Sequence, residues 1–190
     1  MILETKRLIL RPPVLKDAKE IFEGFSNFNV RKHISPAPNP YTLNNSKEYI
    51  KSSIKNYKKT KIEKYNFILE LKESKKVIGC VSLSIKWNNL VGSTGAWINE
   101  SYWKKGYITE AKIAIHDFAF NKLKLRRIES STQKENVASR TALQKLGFKK
   151  EGLKRKAVIC NTTKKIHDEC IFGLLKEDWK KARKKIKQEK

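Results

Sequence analysis

The sequence predicts an α/β (α+β) single domain built on a mixed sheet. Three observations carry that reading. At 190 residues the chain is long enough for one sizeable core and not comfortably for two. Its apolar residues fall in short period-two runs and longer helix-period stripes, separated by turn signals. Strands and helices follow one another through the middle, and the chain then closes on a strand pair. The division expected is one domain over residues 1–178 and a basic C-terminal tail over 179–190, with no repeat or linker between.

Residues 7–14 alternate around Leu8 and Leu10 and stop at Pro12 and Pro13, where amide donors are lost, as a strand would. Asp17 then opens a helix whose stripe is Ala18, Ile21, Phe22 and Phe25. Residues 26–41 are irregular, with Pro36, Pro38 and Pro40, and read either as a lid over a site or as a proline-stiffened connection. Asn45 or Ser46 caps a second helix bearing Tyr49, Ile50, Ile54 and Tyr57. Residues 66–71 and 77–85 pair as a hairpin around the charged turn 72–76, and 93–99 form another strand. A helix over 109–123 keeps Ala111, Ala114, Ile115 and Phe118 on one face. Then come a strand at 126–132, a helix at 136–146 stopped by Gly147, and strands at 148–153 and 167–175 joined by a polar loop with Asn161 and two threonines.

The 43 basic residues against 19 acidic ones give a net charge of +24. Phosphate and guanine recognition favour the planar Arg fork, whereas Lys dominates here and is spread along the chain, so a solvated face explains most of the charge. The densest cluster is 179–190, where Trp179, Ala182 and Ile186 give only a thin apolar stripe; a solvated helix and a phosphate-binding surface both stay open there. No apolar run approaches the roughly 20 residues needed to span a bilayer, and residues 1–11 carry charges where a leader needs apolar ones, so a cytoplasmic chain with no membrane association is expected. Cys80, Cys160 and Cys170 are odd in number and lack a CxxC spacing, which argues for buried, reduced thiols. His33, His116 and His167 lack metal-ligand spacing, and no metal is expected.

The informative unit is strand, short loop, helix, over 96–111. A loop feeding a helix N-terminus presents unpaired amides at the positive end of a dipole, which makes an anion site. Gly106 lets backbone approach a ligand closely, and Lys104 and Lys105 add charge, so pyrophosphate is the natural guest.

The run Tyr102-Trp103-Lys104-Lys105-Gly106-Tyr107-Ile108-Thr109-Glu110-Ala111 resembles the acyl-CoA pyrophosphate loop of the GCN5-related N-acetyltransferases (GNAT), in their RimJ/RimL-like ribosomal-protein branch. Three further stretches agree in order: Thr5 to Pro12 with Asp17-Ala18; Asn136, Ser139, Leu146-Gly147-Phe148 and Glu151-Gly152; and Asp168 with Trp179. The resemblance implies a mostly antiparallel sheet with one splayed parallel strand pair, 93–99 beside 126–132. It implies acetyl-CoA as co-substrate and a primary amine as acceptor, the amine being a protein N-terminus of ribosomal-protein type, with ribosome or RNA proximity through the basic surface. It also implies that amides of Lys104, Lys105, Gly106, Tyr107, Ile108 and Thr109 hold the pyrophosphate, that main-chain groups of Trp97, Ile98 and Asn99 pair with the pantetheine, and that Asn136 hydrogen-bonds the same arm or caps its helix. Two departures stand out. Lys104 and Ile108 replace small residues, and Leu143 occupies the position where many members carry an acidic tyrosine.

Acetyl transfer to an amine needs a base for the nucleophile and a proton for the thiolate. Glu100, at the strand end, is the candidate base through a water, or else a surface carboxylate paired with Lys104. Ser139 is the candidate donor to the thiolate, or a residue bonded to local backbone. Two alternatives stand beside the N-terminal acetyltransferase: an enzyme for small amines such as a polyamine or an antibiotic, and a non-catalytic protein whose cleft and surface bind CoA or RNA phosphates.

Overall fold

In the computed structural model, which describes residues 1–35 and 37–188, eight strands form one sheet. They are β1 (Leu3–Glu4), β2 (Leu8–Arg11), β3 (Lys64–Leu71), β4 (Val77–Lys86), β5 (Val91–Ile98), β6 (Arg127–Gln133), β7 (Lys149–Cys160) and β8 (Lys165–Leu175), in the spatial order β1-β2-β3-β4-β5-β6-β8-β7. Every neighbouring pair is antiparallel except β5 and β6. Central strands are apolar on both sides because both sides are covered. On β3, Phe67 and Leu69 enter one cluster and Ile68 the other.

One face of the β2–β4 half carries α1 (Ala18–Phe25) and α3 (Leu43–Tyr57), which contribute Ala18, Ile21 and Ile50. The other face holds the main core under α4 (Tyr107–Asp117), α5 (Val137–Lys145) and α6 (Lys176–Gln188), with Ala111, Ile115, Leu143 and Trp179 buried in it. The proline-rich connection 26–41 contains one short helix, α2 (Phe28–Arg31), capped by the Asn27 side chain; Pro36 of that segment lies outside the described residues.

Several boundaries differ from expectation for local reasons. Thr42 starts α3 earlier than Asn45 or Ser46 would, because Thr42 and Asn45 cap each other reciprocally. Strand β7 runs to Cys160 rather than 153. Its basic outer half lacks alternation because it is an exposed edge, and its register with β8 shifts between Lys154 and Val158. The boundary expected at residue 178 falls inside α6, whose Trp179 is only 3% exposed; residues 189 and 190 lie outside the described part. All three cysteines are free and buried. Among the described residues no helix is long and apolar enough to cross a membrane, and no group of three or more His, Cys, Asp or Glu is arranged to hold a metal ion.

Candidate active site

The parallel pair β5 and β6 is joined only at Val91–Arg127, Gly92–Ile128 and Ser93–Glu129. Beyond it the strands diverge into a V, with Ser130 Oγ donating to Thr94 O at 3.1 Å at the apex. Backbone groups alternate sides along a strand. The Asn99 N–H donates to Ile78 O at 2.8 Å on the β4 side, so Trp97 and Asn99 spend their main-chain groups on β4, and Ala96 and Ile98 face the V. Ile98 O accepts from Trp103 Nε1 at 2.9 Å. Ala96 N–H and C=O and Ile98 N–H therefore form a free strand edge. Of the expected trio only Ile98 offers a group there, and Ala96 is the residue that sequence reasoning missed. The Trp97 side chain packs on the Phe25 ring, 5.1 Å away between centroids, beneath α1.

The chain leaves β5 through a short 3-10 turn (Glu100–Tyr102) and enters α4 through Gly106 at φ +78°. Gly106 has no side chain to cap the helix, and the first intrahelical acceptor is its own carbonyl, taken by Glu110 N–H at 3.0 Å. The amides of Tyr107, Ile108 and Thr109 are thus left open to a ligand at the positive end of α4. Lys104 also stands in the left-handed region at φ +60°, and Lys104 and Lys105 are exposed. Ile108 packs against the main core, so its branched side chain is turned away from the loop.

The loop is held from behind. Glu110 accepts from Thr5 Oγ1 at 2.6 Å, from the Arg7 amide at 2.8 Å and from Arg7 Nε at 2.7 Å. Burial acts to raise the Glu110 carboxyl, and those hydrogen bonds and the Arg7 charge outweigh it and hold the pKa below the usual value. Arg7 also donates to Lys105 O at 3.0 Å and lies 4.1 Å from the Tyr107 ring centroid. Arg7, about a hundred residues away in sequence, is a second residue that the sequence reading left out.

On the α1 face, one stretch of chain crosses the mouth of the V and is fixed to both arms. At the β5 arm, Asn27 Nδ2 and Asn29 Nδ2 donate to the two oxygens of Glu100 at 2.7 and 2.9 Å. Glu100 is therefore paired with the 26–41 segment and not with Lys104. At the β6 arm, His33 Nδ1 lies 3.1 Å from Gln133 Oε1, and Gln133 Nε2 donates to Ser35 Oγ at 3.2 Å. The β7–β8 turn closes over the same segment: Asn161 Nδ2 donates to Ala37 O, and Asn39 Nδ2 to Asn161 O, each at 3.2 Å.

On the opposite face, Asn136 Oδ1 accepts from Ser139 N–H at 3.0 Å and so caps α5. The cap engages only the amide oxygen and leaves Nδ2 without a partner among the described residues, so capping and a ligand bond are compatible. Ser139 is half-buried in the first turn of α5, and Leu143 is wholly buried in the core. Uncapped amides at α4 and a free β5 edge are the two features an acyl-CoA needs: donors for its diphosphate and a strand-like partner for its pantetheine. Acetyl-CoA would be held by the loop 104–109 and by Ala96 and Ile98, and would supply the acetyl group as a thioester.

Residues 7–149 match the family model described as an acetyltransferase (GNAT) domain. YnaD, an uncharacterized N-acetyltransferase of Bacillus subtilis (strain 168), is 28% identical over 94% of this chain and 99% of its own. The ribosomal-protein-S5-alanine acetyltransferase from Vibrio fischeri superposes with a TM-score of 0.81 at 23% identity, over 94% of this chain and 98% of that one. The microcin C7 self-immunity acetyltransferase MccE, solved with acetyl-CoA and AMP, gives a TM-score of 0.77 at 22% identity, over 90% and 93%. With the splayed parallel pair, the uncapped loop before α4 and this match over most of its length, the chain belongs to the GNAT family and is an acetyltransferase enzyme.

Proposed function

We propose that the enzyme acetylates protein or peptide N-termini by direct transfer from acetyl-CoA. The observation that carries the reading is the placement of the two sets of groups on opposite faces of one opening. The α4 loop, Asn136 and Ser139 lie on the α4/α5 face, whereas Glu100 and the lid lie on the α1 face. A donor and an acceptor approaching from opposite faces meet between β5 and β6 with no need of a covalent enzyme intermediate.

A polypeptide acceptor is supported by what lies beside the lid. The sheet face next to it carries exposed Ser93, Gly95 and Ser131 and no helix of the α1–α3 layer, which leaves room for an extended chain. Glu100 keeps lone pairs free for a water or for the acceptor's ammonium, and the amides of the β5 edge polarise a carbonyl beside them. Ser139 is suited to hydrogen-bond the departing thiolate. The exposed Lys180, Lys181 and Lys184 of α6 favour an acceptor presented on RNA, as a ribosomal protein is.

The test is release of free CoA thiol from acetyl-CoA with N-terminal peptides and, in parallel, with small amines including a polyamine. Acetylated peptide is expected; turnover of the amines alone would overturn the N-terminal reading. Ser139→Ala should lower kcat by roughly tenfold with acetyl-CoA affinity retained, as expected for loss of a bond made in the transition state.

A further inference from the structure

The lid brings to the β6 arm a histidine whose tautomer is set by its neighbours. Gln133 is only 3% exposed, at the last position of β6. Its Nε2 donates to Ser35 Oγ, so its Oε1 faces His33 Nδ1 at 3.1 Å. An amide oxygen only accepts, so Nδ1 carries a hydrogen, and in the neutral ring Nε2 is the nitrogen with the lone pair. No described residue donates to that Nε2. The Cys160 thiol donates to Lys32 O at 3.3 Å, and Lys32 Nζ donates to Asn29 Oδ1 at 3.0 Å. Glu100 accepts one amide hydrogen on each oxygen, from Asn29 and Asn27, which makes it the tie between this segment and the β5 arm.

We propose that His33 is the catalytic base, taking the acceptor amine's proton on Nε2, and that Gln133 is the residue that positions it; this rests on the acetyl-transfer reading above. As the N–C bond forms, the proton on the amine nitrogen passes to His33 Nε2. The C–S bond then breaks with its electron pair on sulfur, and the thiolate takes a proton from Ser139, which is replenished by solvent. His33 returns its proton to water, so the transfer is balanced without any oxidant or metal. The base stands on the lid face of the opening and the donor to the thiolate on its α5 face. Glu100 then fixes the lid to the β5 arm and attracts the ammonium form of the acceptor, which gives one proton to water before the neutral amine attacks and loses the second to His33.

The experiment uses the full chain, acetyl-CoA and whichever acceptor the wild type turns over, with acetyl-CoA affinity measured separately by calorimetry. His33→Gln should keep that affinity and lose roughly 10²–10⁴-fold in kcat, the range for removal of a general base. In the kcat/KM profile the acidic limb should then reduce to the acceptor amine's own ionisation. Added imidazole should restore part of the turnover of His33→Ala, which a merely structural loss would not allow. Gln133→Met should cost less and displace the acidic limb. If His33→Gln matches the wild type in rate and pH profile, His33 is not the base. If the wild type releases no CoA with any acceptor, the acetyl-transfer reading falls first and takes this assignment with it.

Discussion

Lys104 occupies backbone that L-residues rarely adopt, at φ +60°, directly ahead of the loop it helps to form. Steric crowding of its Cβ makes that conformation unfavourable, and glycine relieves it at the expense of greater freedom in the unfolded chain. Lys104→Gly should therefore raise stability by roughly 0.5–1 kcal/mol in chemical denaturation. Acetyl-CoA affinity should fall only modestly, because in the proposed mode of binding the diphosphate is met by backbone amides and the lysine contributes one exposed charge. Ile108 drops out as an obstacle because it packs into the core. At this scale the sequence was informative where the chemistry is local. The loop with Gly106 and the cap at Asn136 could be read from neighbouring residues, and Leu143 from the family resemblance. Arg7 behind the loop and Gln133 behind His33 could not, since each works across about a hundred residues and no short spacing marks it.

Among the elements, α4 carries an unusual burden. Ala111 and Ile115 face the sheet as the periodicity predicts, and Phe118 continues the stripe in the π-helical turn Phe118–Lys122 that replaces the last part of the helix expected over 109–123, yet Lys112 and His116 are also buried, at 6% and 0% exposure. They are one turn apart on a second face that Trp179 and Phe148 cover, with ring centroids 5.0 and 5.3 Å from His116. Polar residue types concealed that second face from a reading based on hydrophobic pattern. Neither His116 nitrogen has a partner among the described residues. Burial pushes the Lys112 pKa down to about 8, and burial followed by the Lys112 charge pushes His116 well below its usual value. Both shifts act in one direction. Between about pH 8 and the ordinary lysine value of about 10.4, the unfolded chain binds a proton that the folded chain does not, so stability rises with pH there; below pH 8 the buried charge costs its full amount. Below about pH 6.5 the unfolded chain also takes up the His116 proton, and stability falls again. Lys112→Leu should stabilise the protein at pH 7 by up to about 3 kcal/mol, with a gain that shrinks toward pH 10. Urea unfolding at pH 7, 8.5 and 10 checks it, and a pH-independent difference would count against the buried charge as its cause.

For the whole molecule, the basic C-terminal segment is part of the core rather than an appendage. Trp179 Nε1 donates to Asp117 Oδ1 at 2.9 Å and Arg183 Nε to Asp117 Oδ2 at 3.1 Å, which fastens α6 along α4. Gly147 marks the same closure, because at φ +87° it favours glycine and a Cβ there would stand 2.7 Å from the Ala182 Cβ. The +24 charge drew attention to the lysines of this segment, yet its apolar stripe of Trp179, Ala182 and Ile186 is what joins it to the fold. Trp179→Ala should cost roughly 3–5 kcal/mol, as other large-to-small core changes do, whereas Lys180→Glu on the exposed face should move stability by less than about 0.5 kcal/mol. Because α6 touches the helix that opens on the proposed anion site, loss of Trp179 also asks whether that site depends on α6. A ligand that binds only the folded state adds RT ln(1 + [L]/Kd), about 2.7 kcal/mol at a hundredfold excess over Kd. The loop before α4 is held by Thr5 and Arg7 through Glu110, at the end of the helix far from Asp117. Acetyl-CoA should therefore stabilise Trp179→Ala by the same increment as the wild type, measured by thermal unfolding with and without ligand. A smaller increment would mean that the C-terminal helix sets the affinity of the site as well as the stability of the fold.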